Sequence, residues 1–194
     1  MKASILFLLA GLVSLAACKE SAEVAPNEDV TALQEQFHGK YKPLHSVSSQ
    51  ALDINQDGKA STDMLEEISE LPDMEIEVSI FGKNQYNPKP SFIFVHHWPK
   101  QWLGRVEPTS YDPNIKLSYD RTVVAWVFAF DSDLTQLLLE PQPPTLTDSE
   151  LYTPPQSVLV KDNGRIEVTL TKRLYTTEGW ETVQIITLYE RFTR

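Results

Sequence analysis

The chain has 194 residues, with 17 Lys and Arg against 27 Asp and Glu, and a formal net charge of −10 at pH 7. This acidic balance argues against nucleic acid as a partner, because phosphate backbones are bound by basic surfaces. The single cysteine excludes an intramolecular disulfide and a thiolate-rich metal site. The length suits one domain with its own apolar core.

The first 17 residues have the three parts of an export signal. Lys2 provides the positive start, an apolar run too short to span a bilayer follows, and Leu15-Ala-Ala-Cys18 has the small residues of a cleavage site. This pattern resembles a bacterial lipoprotein signal peptide, whose lipobox ends in the cysteine that begins the mature protein. The resemblance implies that Cys18 carries a diacylglycerol and an acyl chain such as palmitate, which anchor it to a membrane. The alternative is an ordinary secretory signal with a coincidental cysteine.

Residues 18–27 are small, acidic and poor in apolar side chains, and they predict a flexible tether. Lys19-Glu20 partly resembles the export signal of surface lipoproteins in the Bacteroidota. We therefore expect a lipoprotein of the outer membrane, on its periplasmic face or at the cell surface. Residues 28–194 are predicted to form a single domain.

The domain is predicted to begin with a short amphipathic helix over residues 28–37, because apolar residues recur there at helical spacing. Gly39 stands where a helix C-cap is expected. The segment Gly39-Lys-Tyr41 then opens the first predicted strand, which ends near Ser48.

An oxygen-rich loop follows this strand over residues 53–64. Asp53, Asn55 and Asp57 occupy positions 1, 3 and 5 of an EF-hand-type loop, with a glycine at position 6 for the sharp turn. The further candidate ligands are the carbonyl of Lys59, the hydroxyl of Ser61 and the carboxylate of Asp63. This donor set predicts a structural calcium ion.

Position 12 departs from the pattern, because Met64 stands where a bidentate glutamate normally closes the cage. The closing carboxylate would then come from Asp63 or Glu66, in a variant loop that resembles those of dockerin modules. The alternative has no ion, and Asn55-Gln-Asp57-Gly58 is then only an Asx-type turn before a capped helix. The sequence leaves both interpretations open.

The second helix is predicted to run from this loop to Pro72, with its glutamates, Glu67 among them, on the outer face. From Met74 the period changes to two, which is typical of a half-buried strand. Further strands are predicted over residues 91–98, 119–130, 134–140, 158–161, 165–176 and 180–192. Asn163-Gly164 predicts a tight hairpin turn. The proline-rich residues 141–155 predict a surface loop over one end of the domain, with a lid as the alternative.

Three features together resemble the lipocalin-like lipoproteins of the Bacteroidota: Gly39-Lys-Tyr41, the Asp-Asn-Asp-Gly loop and the final segment Leu188-Tyr-Glu-Arg191. The resemblance implies a mostly β fold with minor helix, namely a lipocalin-like antiparallel barrel or half-barrel meander with two short N-terminal helices. The family's calcium ligands carry over onto Asp53, Asn55, Asp57, Lys59 and Asp63. No catalytic residues carry over.

His96 and His97 are neighbours on a predicted strand, so their side chains face opposite sides. We expect one histidine inside a polar cavity and one outside, rather than a shared metal site. The sequence lacks the motifs of nucleophile elbows, phosphate-binding loops and zinc-dependent proteases. We therefore expect a non-enzymatic protein: a calcium-stabilised module, or a barrel that binds a small apolar or carbohydrate ligand.

Overall fold

A computed structural model describes residues 30–104, 107–141 and 153–193, which form one antiparallel sheet of nine strands and two α-helices. In chain order the elements are α1 (Val30–Phe37), β1 (Gly39–Leu52), β2 (Ser61–Asp63), α2 (Met64–Glu67), β3 (Ile76–Phe81), β4 (Ser91–Trp102), β5 (Ser118–Phe130), β6 (Leu137–Leu139), β7 (Ser157–Val160), β8 (Ile166–Thr176) and β9 (Gly179–Arg191). Short 3-10 helices cover Leu71–Asp73 and Asp162–Gly164.

The strands follow one another around a nearly closed barrel, in the order β6-β5-β4-β3-β1-β9-β8-β7, and β2 pairs with β1. The first and last long strands pair, so that Ser46 lies opposite Thr187. The remaining seam, between β6 and β7, is bridged where the backbone N–H of Val160 donates to the carbonyl of Thr135 at 2.7 Å. The predicted mostly β, lipocalin-like barrel with two short helices is confirmed.

Alternation along the strands separates the core from the outer surface. On β5, Trp126, Phe128 and Phe130 are buried, whereas Val123 and Val127 are about half exposed. Each buried aromatic or aliphatic side chain contributes about 1.5–3 kcal/mol to the free energy of unfolding. The barrel interior is therefore the single hydrophobic core that the described residues form.

One end of the barrel is covered by α1 and packed with phenylalanines. The rings of Phe37 and Phe130 lie 4.6 Å apart, and those of Phe128 and Phe130 lie 5.2 Å apart. The ring of Phe92 packs edge-on against Phe128 at 5.7 Å. We call this set, Phe37, Phe92, Phe128 and Phe130, the aromatic end.

The helix, the first strand and the last strand meet at Gly39, which has a φ of +146°. A Cβ atom here would lie 2.8 Å from the carbonyl oxygen of Thr193, so only glycine fits without a shift. The guanidinium of Arg191 donates to the carbonyl oxygens of Glu35 and Gln36 at 3.0 and 3.1 Å. The end of α1 is thereby tied to the end of β9, and Gly39, two residues after the helix, begins β1.

Several predicted boundaries are wrong: the strand over residues 91–98 continues to Trp102, and the strand over residues 134–140 covers only Leu137–Leu139. The first strand continues to Leu52 instead of ending near Ser48. The second helix makes one turn and ends at Glu67, because the β-branched Ile68 has extended backbone with φ −120° and ψ 96°. The hairpin turn is confirmed, since β7 and β8 pair on either side of Asp162–Gly164, where Asn163 and Gly164 both have positive φ.

None of the helices in the described ranges is long and apolar enough to cross a bilayer. The predicted signal peptide, Cys18 and the tether lie outside the described residues. Most of the predicted loop over residues 141–155 also lies outside them.

Candidate functional site

A cavity of about 50 Å³ lies inside the barrel, away from the aromatic end. It has room for more than one water molecule. Inward-facing residues of β4, β5 and β8 form most of its wall, among them His96, Trp98, Val124, Trp126, Lys172 and Leu174. Lys100, Glu107 and Arg173 also line it and are exposed, so the cavity reaches the surface. We call this part of the barrel the cavity end.

Lys172 interrupts an apolar row on the inner face of β8. Leu170 and Leu174, two residues away on either side, are 2% and 3% exposed, and alternation places the lysine on their face. Its partner across the ladder is Val183, which is also buried. The ammonium Nζ lies 5.5 Å from the ring centroid of Trp98. A row of mostly apolar residues on the inner face of β8 therefore includes a cation at the cavity wall.

His96 is the second polar group on the inner wall, and it is 4% exposed. Its Nε2 lies 3.4 Å from the hydroxyl of Tyr189, and its ring is sandwiched between those of Phe94 and Trp98. Burial, followed by the positive charge of Lys172, lowers the pKa of His96 to about 3. The imidazole is therefore neutral at pH 7.

His97 points outward, where its Nδ1 accepts a hydrogen bond of 2.7 Å from Nε of Arg121. Burial, followed by the charge of Arg121, lowers its pKa. The prediction that one of the two histidines lies in a cavity and the other outside is confirmed.

Trp126 contributes a buried donor to the same wall. The side chain is 2% exposed, and its indole Nε1 has no hydrogen-bond partner among the described residues. Leaving a buried donor unsatisfied costs about 1–3 kcal/mol, so native cores seldom contain one away from a water or ligand site. The orphaned N–H marks this wall as a place where a polar partner would be stabilising.

The mouth of the cavity carries further positive charge. The guanidinium of Arg173 lies 4.2 Å from the ring centroid of Trp180 and 3.4 Å from the carboxylate of Glu107. Lys100 lies on the rim at the end of β4. Among the described residues, three cations and one carboxylate line the cavity, although the chain as a whole is acidic.

A second depression, of about 330 Å³, lies outside the barrel between the end of β1 and the β8–β9 turn. Gln50, Ala51 and Glu178, which line it, are exposed. Its lining is more polar than apolar, whereas small-molecule sites are usually lined mostly by apolar side chains. The barrel cavity is therefore the better candidate site.

The oxygen-rich loop is a series of side-chain-to-backbone turns. Asp53 accepts hydrogen bonds of 3.1 Å from the backbone N–H groups of Asp57 and Gly58. Asn55 accepts from Asp57 at 3.0 Å, and Asp57 accepts from Lys59 at 2.9 Å. These bonds hold three of the predicted ligands, Asp53, Asn55 and Asp57, around one short turn.

The other predicted side-chain ligands, Ser61 and Asp63, accept hydrogen bonds from the backbone at the start of α2. Ser61 accepts from the backbone N–H of Asp63 at 3.0 Å. Asp63 is the N-cap of α2 and accepts from the N–H of Leu65 at 2.9 Å. The carboxylate that reaches the loop belongs to Glu67 instead.

Glu67 was predicted on the outer face of a longer helix, which is wrong, because the residue is 2% exposed. Its Oε2 accepts from the N–H groups of Ile54 and Asn55 at 2.7 and 3.3 Å. Burial raises the pKa of Glu67, and the nearby charges of Asp53 and Asp57 raise it further, against the two hydrogen bonds. Helical spacing could not reveal this, because it assumes that the helix continues.

Within residues 30–104, 107–141 and 153–193, no three His, Cys, Asp or Glu side chains come close enough together to hold a metal ion. An ion at the loop would therefore need amide and carbonyl oxygens as well as carboxylates, which is the donor chemistry that calcium accepts. The chain matches no known family model, and no curated protein is detectably similar to it.

Proposed function

We propose that this protein binds a small molecule inside the barrel at the cavity end, and that a lipid on Cys18 holds it at a membrane. The proposed role is binding rather than catalysis. The barrel fold suits this role, because small barrels of this type hold ligands in their mouths.

One observation carries the proposal: polar groups stand on the inner wall where the strand pattern would place apolar ones. Lys172 lies in the inward row of β8, and His96 and the orphaned Trp126 Nε1–H lie on β4 and β5. Burying the Trp126 N–H without a hydrogen-bond partner is costly. A ligand with polar atoms would offset this cost. Binding sites are where proteins most often depart from the apolar-inside pattern of their strands.

Neighbouring valines on β5 allow a matched test. Val124 lines the cavity, whereas Val123 is 54% exposed on the outer surface. Val124→Trp should fill the cavity and abolish binding of small aromatic probes, and Val123→Trp should leave binding unchanged. The probes are 3-phenylpropionate, 3-phenylpropionamide and 3-phenylpropylamine, titrated calorimetrically into the full chain in nanodiscs. Binding that survives Val124→Trp, or no binding of any probe to the wild type, would contradict the proposal.

A second candidate function, a structural calcium ion at the loop, is favoured by Glu67. This buried carboxylate faces Asp53 and Asp57, and a cation would offset the repulsion among the three charges. The oxygens of Asp53, Asn55 and Asp57 and the carbonyl of Lys59 suit a hard cation, and carboxylate oxygens that accept one hydrogen bond retain lone pairs. Glu67 would then supply the closing carboxylate, which the sequence assigned to Asp63 or Glu66.

Thermal unfolding of the full chain in nanodiscs, after chelation and then with millimolar calcium or magnesium, tests this candidate. Calcium at 100 times its dissociation constant should stabilise the fold by about 2.7 kcal/mol. Asp57→Asn should remove this response, and the exposed Asp120→Asn should keep it. No response, or equal responses to both cations, would mean that the loop is only a capped turn.

The proposed anchor is tested separately in cells. Labelled palmitate should be incorporated into the wild-type chain, and the protein should sediment with outer membranes. Cys18→Ser should lose both the label and the sedimentation. Incorporation that persists in Cys18→Ser would rule out this cysteine as the acylated residue.

A further inference from the structure

We infer that the loop between β3 and β4, residues 82–90, rests on the surface of an anionic phospholipid bilayer, so that the cavity end faces away from the membrane. This inference rests on the proposed lipid on Cys18 and adds the surface by which the barrel meets the bilayer. It follows from where the chain enters the barrel, from the charge of the loop and from the way the loop presents Tyr86.

The chain enters the barrel beside this loop. Val30 begins α1, the helix that covers the aromatic end. The backbone N–H of Ile80 donates to Nδ1 of His38 at 3.0 Å, and β3 ends at the next residue, so the end of the helix and the start of the loop are neighbours. The eleven residues 19–29 separate Val30 from Cys18 and span at most about 40 Å when fully extended. A lipid on Cys18 would therefore keep the loop near the bilayer at a high effective concentration.

The loop differs in charge from the rest of the chain. Residues 78–106 contain no Asp or Glu, although the chain has 27 of them, and Lys83 and Lys89 are both exposed on the loop. An anionic bilayer attracts lysines close to its surface and repels acids. The neighbouring turns at the aromatic end begin with Asp131 and Asp162. The barrel would therefore meet the bilayer on its β3–β4 side rather than with the whole end.

The loop holds an aromatic ring away from the barrel, because Tyr86 is 88% exposed. Oδ1 of Asn84 accepts from the backbone N–H groups of Tyr86 and Asn87, each at 2.8 Å, and the N–H of Asn84 donates to the carbonyl of Asn87 at 2.9 Å. These backbone groups are satisfied within the loop, so they would lose little on leaving water. Tyrosine suits the interface between headgroups and acyl chains, because its ring is apolar and its hydroxyl is polar. Phe81, at the base of the loop, adds a second ring that is 46% exposed.

Fluorescence quenching tests this contact in the lipidated full chain, placed in nanodiscs that contain phosphatidylglycerol and lipids with brominated acyl chains. Gln85→Cys provides a thiol for a nitrobenzoxadiazole label on the exposed loop, and Glu178→Cys carries the same label on the exposed β8–β9 turn at the cavity end. The acylated Cys18 does not react with the label. The brominated lipids should quench the label on the β3–β4 loop at least about threefold more than the label on the β8–β9 turn.

Paired charge variants test the role of the lysines. Lys83→Gln combined with Lys89→Gln should lower the ratio of membrane-bound to free loop by at least about tenfold, because two attractions to the anionic lipid are lost. Lys59→Gln combined with Lys116→Gln is the matched control, since both lysines are exposed on loops at the cavity end and the net charge changes equally. The control should leave the quenching unchanged.

Equal quenching of the two labels, or equal effects of the two double variants, would overturn the inference while the proposed anchor on Cys18 stands. Quenching of the loop label that is the same in nanodiscs of neutral phosphatidylcholine would overturn it as well. A chain that does not stay with the nanodisc would overturn both the inference and the anchor.

Discussion

The two ends of the barrel are built from the same strands with the same alternation, but their interiors differ in kind. At the aromatic end, β4 and β5 contribute Phe92, Phe128 and Phe130, and the helix adds Phe37 above them. At the cavity end, β4 instead contributes His96, Trp98 and Lys100, and β8 adds Lys172. One end is a packed core and the other is a lined opening.

The difference shows how one sheet can serve stability and binding at once. Stability increases with apolar area removed from water, so the ring cluster and α1 should supply much of it. A cavity with buried polar groups contributes less and makes the fold depend on what binds there. Substitutions at the two ends should therefore separate stability from ligand recognition.

The largest expected effect is at the aromatic end. Phe130→Ala should lower the free energy of unfolding by about 3–5 kcal/mol, because the ring is 2% exposed and its loss leaves a cavity. Phe192→Ala is the control, since that ring is 47% exposed, and it should cost less than about 1 kcal/mol. Urea denaturation measures both values. Similar losses in the two variants would mean that the aromatic end is not the stabilising core.

The next effect is a pH dependence at the cavity end. The pKa of His96 is about 3 in the folded protein, below its ordinary value of about 6.5, so the unfolded chain takes up a proton first as pH falls. The contribution of the neutral His96 to the free energy of unfolding is fully present above pH 6.5 and is lost between about pH 6.5 and 3. Its total is on the order of a few kcal/mol.

The difference in stability between wild type and His96→Gln, measured from pH 7.5 to 4, isolates this contribution from the carboxylates. The wild type should lose more stability than the variant as pH falls. His45→Gln, at an exposed histidine of β1, should follow the wild type. Parallel curves for wild type and His96→Gln would show that the imidazole is not buried in solution.

A smaller effect is expected at the loop that leaves β1. Burial is the main cause that raises the pKa of Glu67, so the folded protein binds this proton more tightly than the unfolded chain does. The stability gained in this way is lost as the pH rises through the raised pKa. Glu67→Gln should therefore raise stability at pH 7 by about 1 kcal/mol in chelator, and the gain should vanish below pH 4.

In calcium, Glu67→Gln should instead lower the stability, because a glutamine side chain is a poorer calcium ligand than a carboxylate. Thermal unfolding in chelator and in calcium measures both signs. The exposed Glu66→Gln is the control and should change little in either buffer. Destabilisation by Glu67→Gln in chelator would mean that its charge is needed without any ion.

The smallest expected effect on stability is at Lys172, on the cavity wall. Lys172→Met should change the free energy of unfolding by less than about 1 kcal/mol, because the side chain is only partly buried and methionine keeps its apolar stem. Urea denaturation without ligand measures it. A loss near that of Phe130→Ala would show that Lys172 supports the barrel itself.

Much of the fold could be predicted because its signals are local. Alternation over Ile166, Val168 and Leu170 identified the inner face of β8, and Asn163-Gly164 identified the hairpin before it. The same logic separated His96 from His97 correctly. Boundaries were less certain, since Leu52 ends the first strand through pairing that the sequence does not display.

The candidate site was harder to predict because its residues depart from the pattern of the strand or helix in which they lie. A lysine after a run of inward apolar residues is usually the exposed end of a strand, so Lys172 drew no attention. Glu67 was placed on an outer face by helical spacing, but the helix ends at that residue and turns the carboxylate inward. Continuing the alternation of β8 by one more step would have identified the lysine.

The sequence by itself determined the strand pattern and the turns, because these depend on neighbours along the chain and on burial of one face, whereas the barrel was expected only from the family resemblance. Only the tertiary structure decided that Trp98, Trp126 and Lys172 share one wall, and that Glu67 returns to the loop of Asp53. Such contacts between residues distant in sequence depend on strand order and register across a curved sheet. Those are set by the packing of the whole core, and no local spacing encodes them.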